Sequence, residues 1–509
     1  MKNKIVKLFF TGLILSLGSC ESYLDVNDTP NTALLSQITP NLALSAAQTQ
    51  TFRVISGDTR NVEGGIASQN LNQFGNIMMN SWSGNVNSFT DPYGAELRST
   101  MTTSFYQNIW NYGYANIANL HNITVYESDN YDNHKAIAKI LKSFYMQTMV
   151  DMYGDCPYSE AFLGNANLAP AYDDDKMVYR ALVTNLDEAI AMINGANGSD
   201  AVVGTEDAML AGNMDNWKRF ANTIKLRLLM RQSGLVDAET TAYLDAQLDT
   251  LIGADFITSN VTINPGYSSA SGDAQNPFYA AYGFGISGTK VQNRDLVVAS
   301  DNAASKLNST SDGRRGRLFT LVAGSVVGVE QGESALAAAD VVSSLGAAIV
   351  PLPVGTNATV GSSMAGQVMT LSEAKFLLAE AAFKYPAKFT ADPKTLFDEG
   401  IAASFTRLGA TIGTYLTDID AVPGFGWNAT TDKVEAIMTQ KWIALMHVSG
   451  HESWIDYVRT GFPVTPNALN NVNGKPKRLM YPNSEIISNS SNVPSQSSAS
   501  VFATGPFWK

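Results

Sequence analysis

The sequence predicts a mainly α-helical fold, built of helix pairs of tetratricopeptide-like size with a loop-rich part set between them. Three observations carry this. Several segments repeat apolar residues at helical spacing, and two of them are close enough to form a helix–turn–helix of roughly 35 residues. The stretch from about 255 to 365 has little period and is rich in Gly, Ser, Asn and Ala. Residues are 45% apolar and 10% aromatic, yet only two are cysteine, so the fold rests on a large core and not on disulfides. Self-similarity between the helical segments is weak, which argues against a regular solenoid.

The chain opens with Lys2, Lys4 and Lys7 and no acid, followed by the apolar run LFFTGLILSL. A basic start before about 10 apolar residues reads as a secretory signal, well short of the ~20 that span a bilayer. The run ends in LGSC, the pattern of a bacterial lipobox. Residues 1–19 are then a cleaved signal, and Cys20 is the lipid-bearing mature N-terminus. Several acyl chains on that residue, palmitate among them, anchor firmly where a single chain binds marginally. No later apolar stretch is long enough to span. The body, 20–509, is expected to be one unit, helical over about 35–250 and 366–465. Cys156 is left with no intramolecular partner.

The formal net charge is −12, and loss of the three signal lysines takes it to −15. No basic stretch is longer than KPKR at 475–478, so nucleic-acid binding is excluded on electrostatic grounds. An acidic chain rich in amides and rings suits neutral ligands better.

The helices follow in order. In HKAIAKILKSFYMQTMVDMYGD, Ile137, Ile140, Leu141, Phe144, Tyr145, Met149 and Met152 share a face, and Gly154 caps the end. DDDKMVYRALVTNLDEAIAMING starts with acids, which the helix dipole favours, and repeats Leu182, Leu186, Ile190 and Ile193 before Gly195. NWKRFANTIKLRLLMRQSG sets Trp217, Phe220, Ile224 and Leu228 on one stripe with Lys and Arg opposite. After the loop-rich part, LSEAKFLLAEAAFKY and LFDEGIAASFTRLG form the helix–turn–helix, and KVEAIMTQKWIALMHV is a further helix. The tail beyond about 482 reads as polar and irregular.

Chemistry-bearing motifs are few. HVSGHE holds His447, His451 and Glu452, but Gly450 breaks the helix that a zinc pair needs, and the Glu follows the second His instead of preceding it. GFGISG at 283–288 lacks the strand and helix of a dinucleotide loop. Asp173, Asp174 and Asp175 lack the Gly and Glu of a calcium loop and suit a helix N-terminus. No nucleophile elbow is visible, and four His give no triad. No catalytic residue, metal or cofactor is therefore assigned.

Two aromatic stretches outside the periodic segments stand out. NSWSGNVNSFTDPY holds Trp82, Phe89 and Tyr93 among Asn and Ser, and NPFYAAYGF holds Phe278, Tyr279, Tyr282 and Phe284. Rings beside amides suit sugars, which offer an apolar face and hydroxyls. Trp82, Asn85, Tyr93, Phe278 and Tyr279 are the expected ligand-binding residues, with Trp82 on the surface. Most such rings fill cores beneath loops, and that alternative stays open. Trp110, Tyr112 and Tyr114 follow a helical pattern and are assigned to structure.

Several stretches together resemble one family. They are SFYMQTMVDMYGDCPYSEAF, YRALVTNLDEAI, DNWKRFANTIKLRLLMR, EAKFLLAEAAF, TQKWIALMHVSGHESWIDYVRTGFP and RLMYPNSE. With the lipobox, they are similar to the SusD/RagB outer-membrane lipoproteins of Bacteroidota, in the SusD-like nutrient-binding branch. The most specific part runs from Gln440 to Pro463, with Glu452, Trp454, Arg459, Thr460, Gly461 and Pro463 at the family's positions. Val458 stands where the family often has a second arginine. The resemblance implies a SusD-like α-α superhelix with a loop-rich ligand-binding part. It also implies a SusC-like TonB-dependent transporter as partner, and a lid held over it at the exterior by Cys20. The expected function is capture of a glycan or other nutrient, without catalysis, at the cell outer membrane. Peptides remain open as ligands. Two other readings are an exported polysaccharide hydrolase and a structural lid with no ligand affinity.

Overall fold

The computed structural model describes residues 38–56, 70–335, 341–355 and 357–509. Cys20 and the signal lie outside the described residues. Helices dominate: α1 (Pro40–Ser56), α2 (Leu71–Met78), α3 (Gln107–Thr124), α4 (Asp132–Tyr153), α5 (Asp175–Gly195), α6 (Met214–Arg231) and α7 (Ala238–Asp249) come first. After short helices that include α8 (Pro277–Tyr282) come α9 (Leu371–Lys384), α10 (Pro393–Leu408), α11 (Lys433–Leu445) and α12 (Gly450–Thr460). Neighbours pack on one another: α3 on α4, α4 on α5, α5 on α6, and α9 on both α10 and α11. The mainly helical fold is as the sequence predicts.

The ends of these helices have local causes. Asp174 accepts from the Met177 N–H at 3.0 Å and starts α5. Thr370 does the same for α9 through Glu373 N–H. Gly409 ends α10 in the left-handed region at φ 60°. No helix among the described residues is long and apolar enough to cross a membrane.

Two helices depart from simple amphipathic reading. α4 is buried all round from Ser143 to Tyr153, because α1, α3, α5 and α6 all pack against it. On α6 the face opposite the apolar stripe is not solvated. Arg227 and Arg231 are each 2% exposed and pair with carboxylates from distant helices. Arg231 meets Glu452 at 2.7 Å and Asp456 at 3.2 Å on α12, and Arg227 meets Glu373 at 3.2 Å on α9. Lys441 of α11 joins at Asp456, 2.7 Å away. Charges so far from water persist only because each has a partner.

The middle segment carries short elements. β1 (Trp82–Gly84) pairs antiparallel with β3 (Val297–Ala299), and β2 (Val261–Ile263) with β4 (Gly366–Met369). The tail is more ordered than its composition suggests. It forms short helices at Asn483–Ser488 and Ser500–Ala503. Near its end Trp508, 2% exposed, donates its indole N–H to Asp151 at 2.9 Å.

Candidate functional site

The site begins where α2 and α12 touch. A Cβ on Gly75 would stand 1.9 Å from the Gly450 carbonyl carbon, so only glycine permits this approach. The approach lets two asparagines of α2 reach the link between α11 and α12. Asn72 Nδ2 donates to the His447 carbonyl at 2.6 Å, and Asn72 Oδ1 accepts from Gly450 N–H at 3.1 Å. Asn76 Oδ1 accepts from His447 N–H at 3.2 Å. His447 is held at φ 71°, a strained backbone for a residue with a Cβ.

Its ring is held as firmly. Trp82 Nε1–H donates to His447 Nδ1 at 2.7 Å, with the two rings stacked at 5.9 Å. Phe319 stands edge-on to the imidazole at 4.9 Å. Indole nitrogen only donates, so Nδ1 carries no proton and the neutral ring carries it on Nε2. Burial, and then the charge of Arg407, pushes the His447 pKa down to about 3. The ring is therefore neutral at physiological pH, and its Nε2 has no hydrogen-bond partner among the described residues.

His447 lines a cavity of about 260 Å³ together with Asn72, Phe278, Met364, Gln367 and Arg407. Arg407 comes from the last turn of α10. Its Nη2 donates to the Ala444 carbonyl at 3.0 Å, while its Nε is buried and unpartnered. No carboxylate among the described residues pairs with it. Burial, then repulsion by Arg314, lowers its pKa to about 10, so it stays cationic at neutral pH. Gln367 Oε1, from β4, is a third buried polar atom without a partner here.

The five expected ligand residues are placed as follows. Phe278, 9% exposed, lines the cavity. Trp82 is 0% exposed and lies in β1, not in a surface loop, so its face is not available for stacking. It reaches the cavity only through His447. Tyr279 is also 0% exposed, on α8, and its hydroxyl donates to the Pro351 carbonyl at 3.0 Å. Asn85 is half-buried and spends its amide on the Asp295 carbonyl at 3.1 Å. Tyr93 packs against the core beside α2 and does not line the cavity. The correction has one physical cause: a strand of three residues and a helix of six are too short to show a period, so buried rings there read as loop rings.

Arg407, Gln367 and Asn72 were missed. An arginine in the last turn before a C-terminal glycine reads as a complement to the helix dipole, and nothing in sequence shows that its partner is lacking. His447 drew attention only as a metal ligand. It sits between α11 and α12, whereas His451 is on α12 with Nε2 4.0 Å from Glu452. Asp155, Asp174 and Asp175 gather their oxygens within 4.8 Å, and all three accept backbone N–H groups.

A second, open cleft of about 380 Å³ lies over α3, lined by Trp110, Asn111, Tyr114, Phe162, Ser484 and Glu485. Its polar groups already pair within the protein. Tyr114 donates to the Pro157 carbonyl at 2.8 Å, Ser484 to Asn111 at 2.7 Å, and Tyr172 to Glu485 at 2.9 Å. The Phe278–His447 cavity, with its unmet donors, is the stronger candidate.

A family model described as "Starch-binding associating with outer membrane" matches residues 47–482. The chain belongs to the SusD-like family. No curated protein matches it. Among solved structures, a chitin-binding SusD homolog from Flavobacterium johnsoniae is 23% identical, with a TM-score of 0.68 over 91% of this chain and 96% of that one. A SusD homolog from Bacteroides uniformis is 23% identical, with a TM-score of 0.69 over 92% and 99%. One from Bacteroides vulgatus is 21% identical, with a TM-score of 0.69 over 88% and 93%. These likenesses establish a shared fold. The residues that carry the sequence resemblance serve the core of this SusD-like chain. Trp454 donates to the Pro476 carbonyl at 3.1 Å. Glu452 and Arg459 pair across helices, with Arg231 at 2.7 Å and with Glu380 at 2.6 Å.

Proposed function

We propose that this protein is a lipid-anchored outer-membrane lipoprotein that binds a glycan at the cell surface, without cleaving it, and passes it to a SusC-like TonB-dependent transporter. The family match over residues 47–482 carries this reading, since that family is described as starch-binding and outer-membrane associated. A chitin-binding relative of the same fold supports it. The glycan end enters the Phe278–His447 cavity. At a share of about 30 Å³ per water, a space of about 260 Å³ holds roughly nine waters, the room of one sugar ring. Cys20 supplies the anchor, in keeping with the lipobox.

Calorimetry of the purified protein against an oligosaccharide panel, with product analysis of each mixture, tests this. Saturable binding with intact ligand is expected. Released shorter sugars would make it a hydrolase, and absence of binding to every glycan would leave only a lid. Co-purification with a SusC-like transporter tests the partner.

A further inference from the structure

The whole-chain charge of −12 says nothing about the cavity, where two of the three unmet groups are donors and one of those, Arg407, is cationic. Arg407 contrasts with the paired arginines of the core. Arg231 meets Glu452 at 2.7 Å, Arg314 meets Asp312 at 2.7 Å and Arg459 meets Glu380 at 2.6 Å. Arg407 is half-buried, and its Nε lies out of water with no acceptor among the described residues, so an incoming negative charge would be favoured there. Beside it, His447 is 1% exposed and presents Nε2–H as a donor with no acceptor among the described residues, in a tautomer that Trp82 fixes. Strain at φ 71° and three bonds from Asn72 and Asn76 hold this ring-bearing link in place. Ground-state strain of this kind gathers at functional sites.

We propose that the cavity takes the carboxylate of an acidic sugar, a terminal uronic acid, which accepts from Arg407 and from His447 Nε2–H. This rests on the glycan-binding reading above and names its ligand class. A carboxylate satisfies both donors at once and neutralises Arg407. Phe278 offers an apolar wall to the C–H face of the ring, and Gln367 Oε1 accepts from a sugar hydroxyl. A neutral sugar leaves the guanidinium uncompensated. Discrimination by a buried charged hydrogen bond is worth at least about tenfold.

The test is calorimetry of the purified protein with glucuronate and galacturonate and their short oligomers. Glucose, galactose, maltotriose and chitotriose are the neutral set, and acetate is the simple-anion control. At least one uronate should bind tenfold or more tighter than its neutral counterpart, and weaken as salt rises while the neutral sugars do not. Arg407→Gln should remove that preference and melt no lower than the wild type, since it discharges an uncompensated cation. Equal affinity for acidic and neutral sugars, or a preference untouched by Arg407→Gln, would overturn the acid-binding proposal and leave the glycan reading standing. Acetate binding as tightly as the uronates would reduce the site to a bare anion hole and overturn it too. Should no sugar of either set bind, the glycan reading itself falls. If Arg407→Gln fails to fold, the salt dependence of the wild type decides alone.

Discussion

Replacing Trp82 separates a structural ring from a ligand platform. Trp82→Phe keeps most of the ring but removes the N–H that donates to His447 Nδ1. A buried acceptor left unpaired costs about 1–3 kcal/mol. Trp82→Ala also empties a site that is 0% exposed and packed edge-on against Tyr282 at 5.2 Å, at a further ~3–5 kcal/mol. Unfolding entropy near 2.1 cal/mol/K per residue gives about 1 kcal/mol/K for a chain of 509 residues that melts as a unit. The phenylalanine variant should thus melt about 1–3 °C lower and the alanine variant about 4–8 °C lower. Phenylalanine also frees the imidazole proton to move to Nδ1, which turns Nε2 from donor to acceptor at the cavity wall. Uronate affinity should then fall although Trp82 touches no ligand. Scanning fluorimetry and calorimetry on both variants read these effects. An alanine variant that keeps its melting temperature and loses only affinity would refute the reasoning, because a surface stacking ring behaves that way.

Three further outcomes are expected. Cys20→Ala should move the protein from the membrane fraction to the soluble fraction, or leave it unprocessed; full membrane retention in cells without the transporter would disprove the anchor. Glu452→Ala strips Arg227 and Arg231 of a shared carboxylate and should cost about 3–5 kcal/mol, or about 3–5 °C in melting temperature, where a shift under 1 °C would show the network to be dispensable. His447, whose folded pKa of about 3 lies below its ordinary 6.5, gives stability that is full above pH 6.5 and is lost as pH falls toward about 3. Asp151, raised by burial to about 6, works in the opposite direction, so the ring itself is the better readout. Its imidazole NMR signals should stay flat from pH 8 to 5, and a midpoint near 6.5 would show it solvated.

The helices were legible because they are long and punctuated. In α4 the repeat from Ile137 to Met152 continues to Gly154, whose positive φ of 83° a side chain would resist. What the period could not show is the fate of the polar face. Lys and Arg opposite an apolar stripe read as solvated on any isolated helix. On α6, Arg227 and Arg231 instead meet acids that arrive 146 and 221 residues later in the chain. Only the packing of α6 against α9 and α12 brings them together, and helical period carries no information about that.

The site was half legible for a related reason. Aromatic density drew attention to the segments around Trp82 and Phe278, and the structure sets Phe278 on the cavity wall and Trp82 behind it. Composition cannot say whether a ring lines the cavity or stands behind its lining. For Trp82 the decision falls to His447, 365 residues away, which takes the indole N–H and stands between Trp82 and the cavity. For Arg407 the informative fact is a missing carboxylate, and a missing neighbour leaves no trace in sequence. Ligand chemistry here therefore has to be read from unmet donors in the folded protein: two donors and one acceptor around a space the size of a sugar ring favour an acidic sugar over a neutral one.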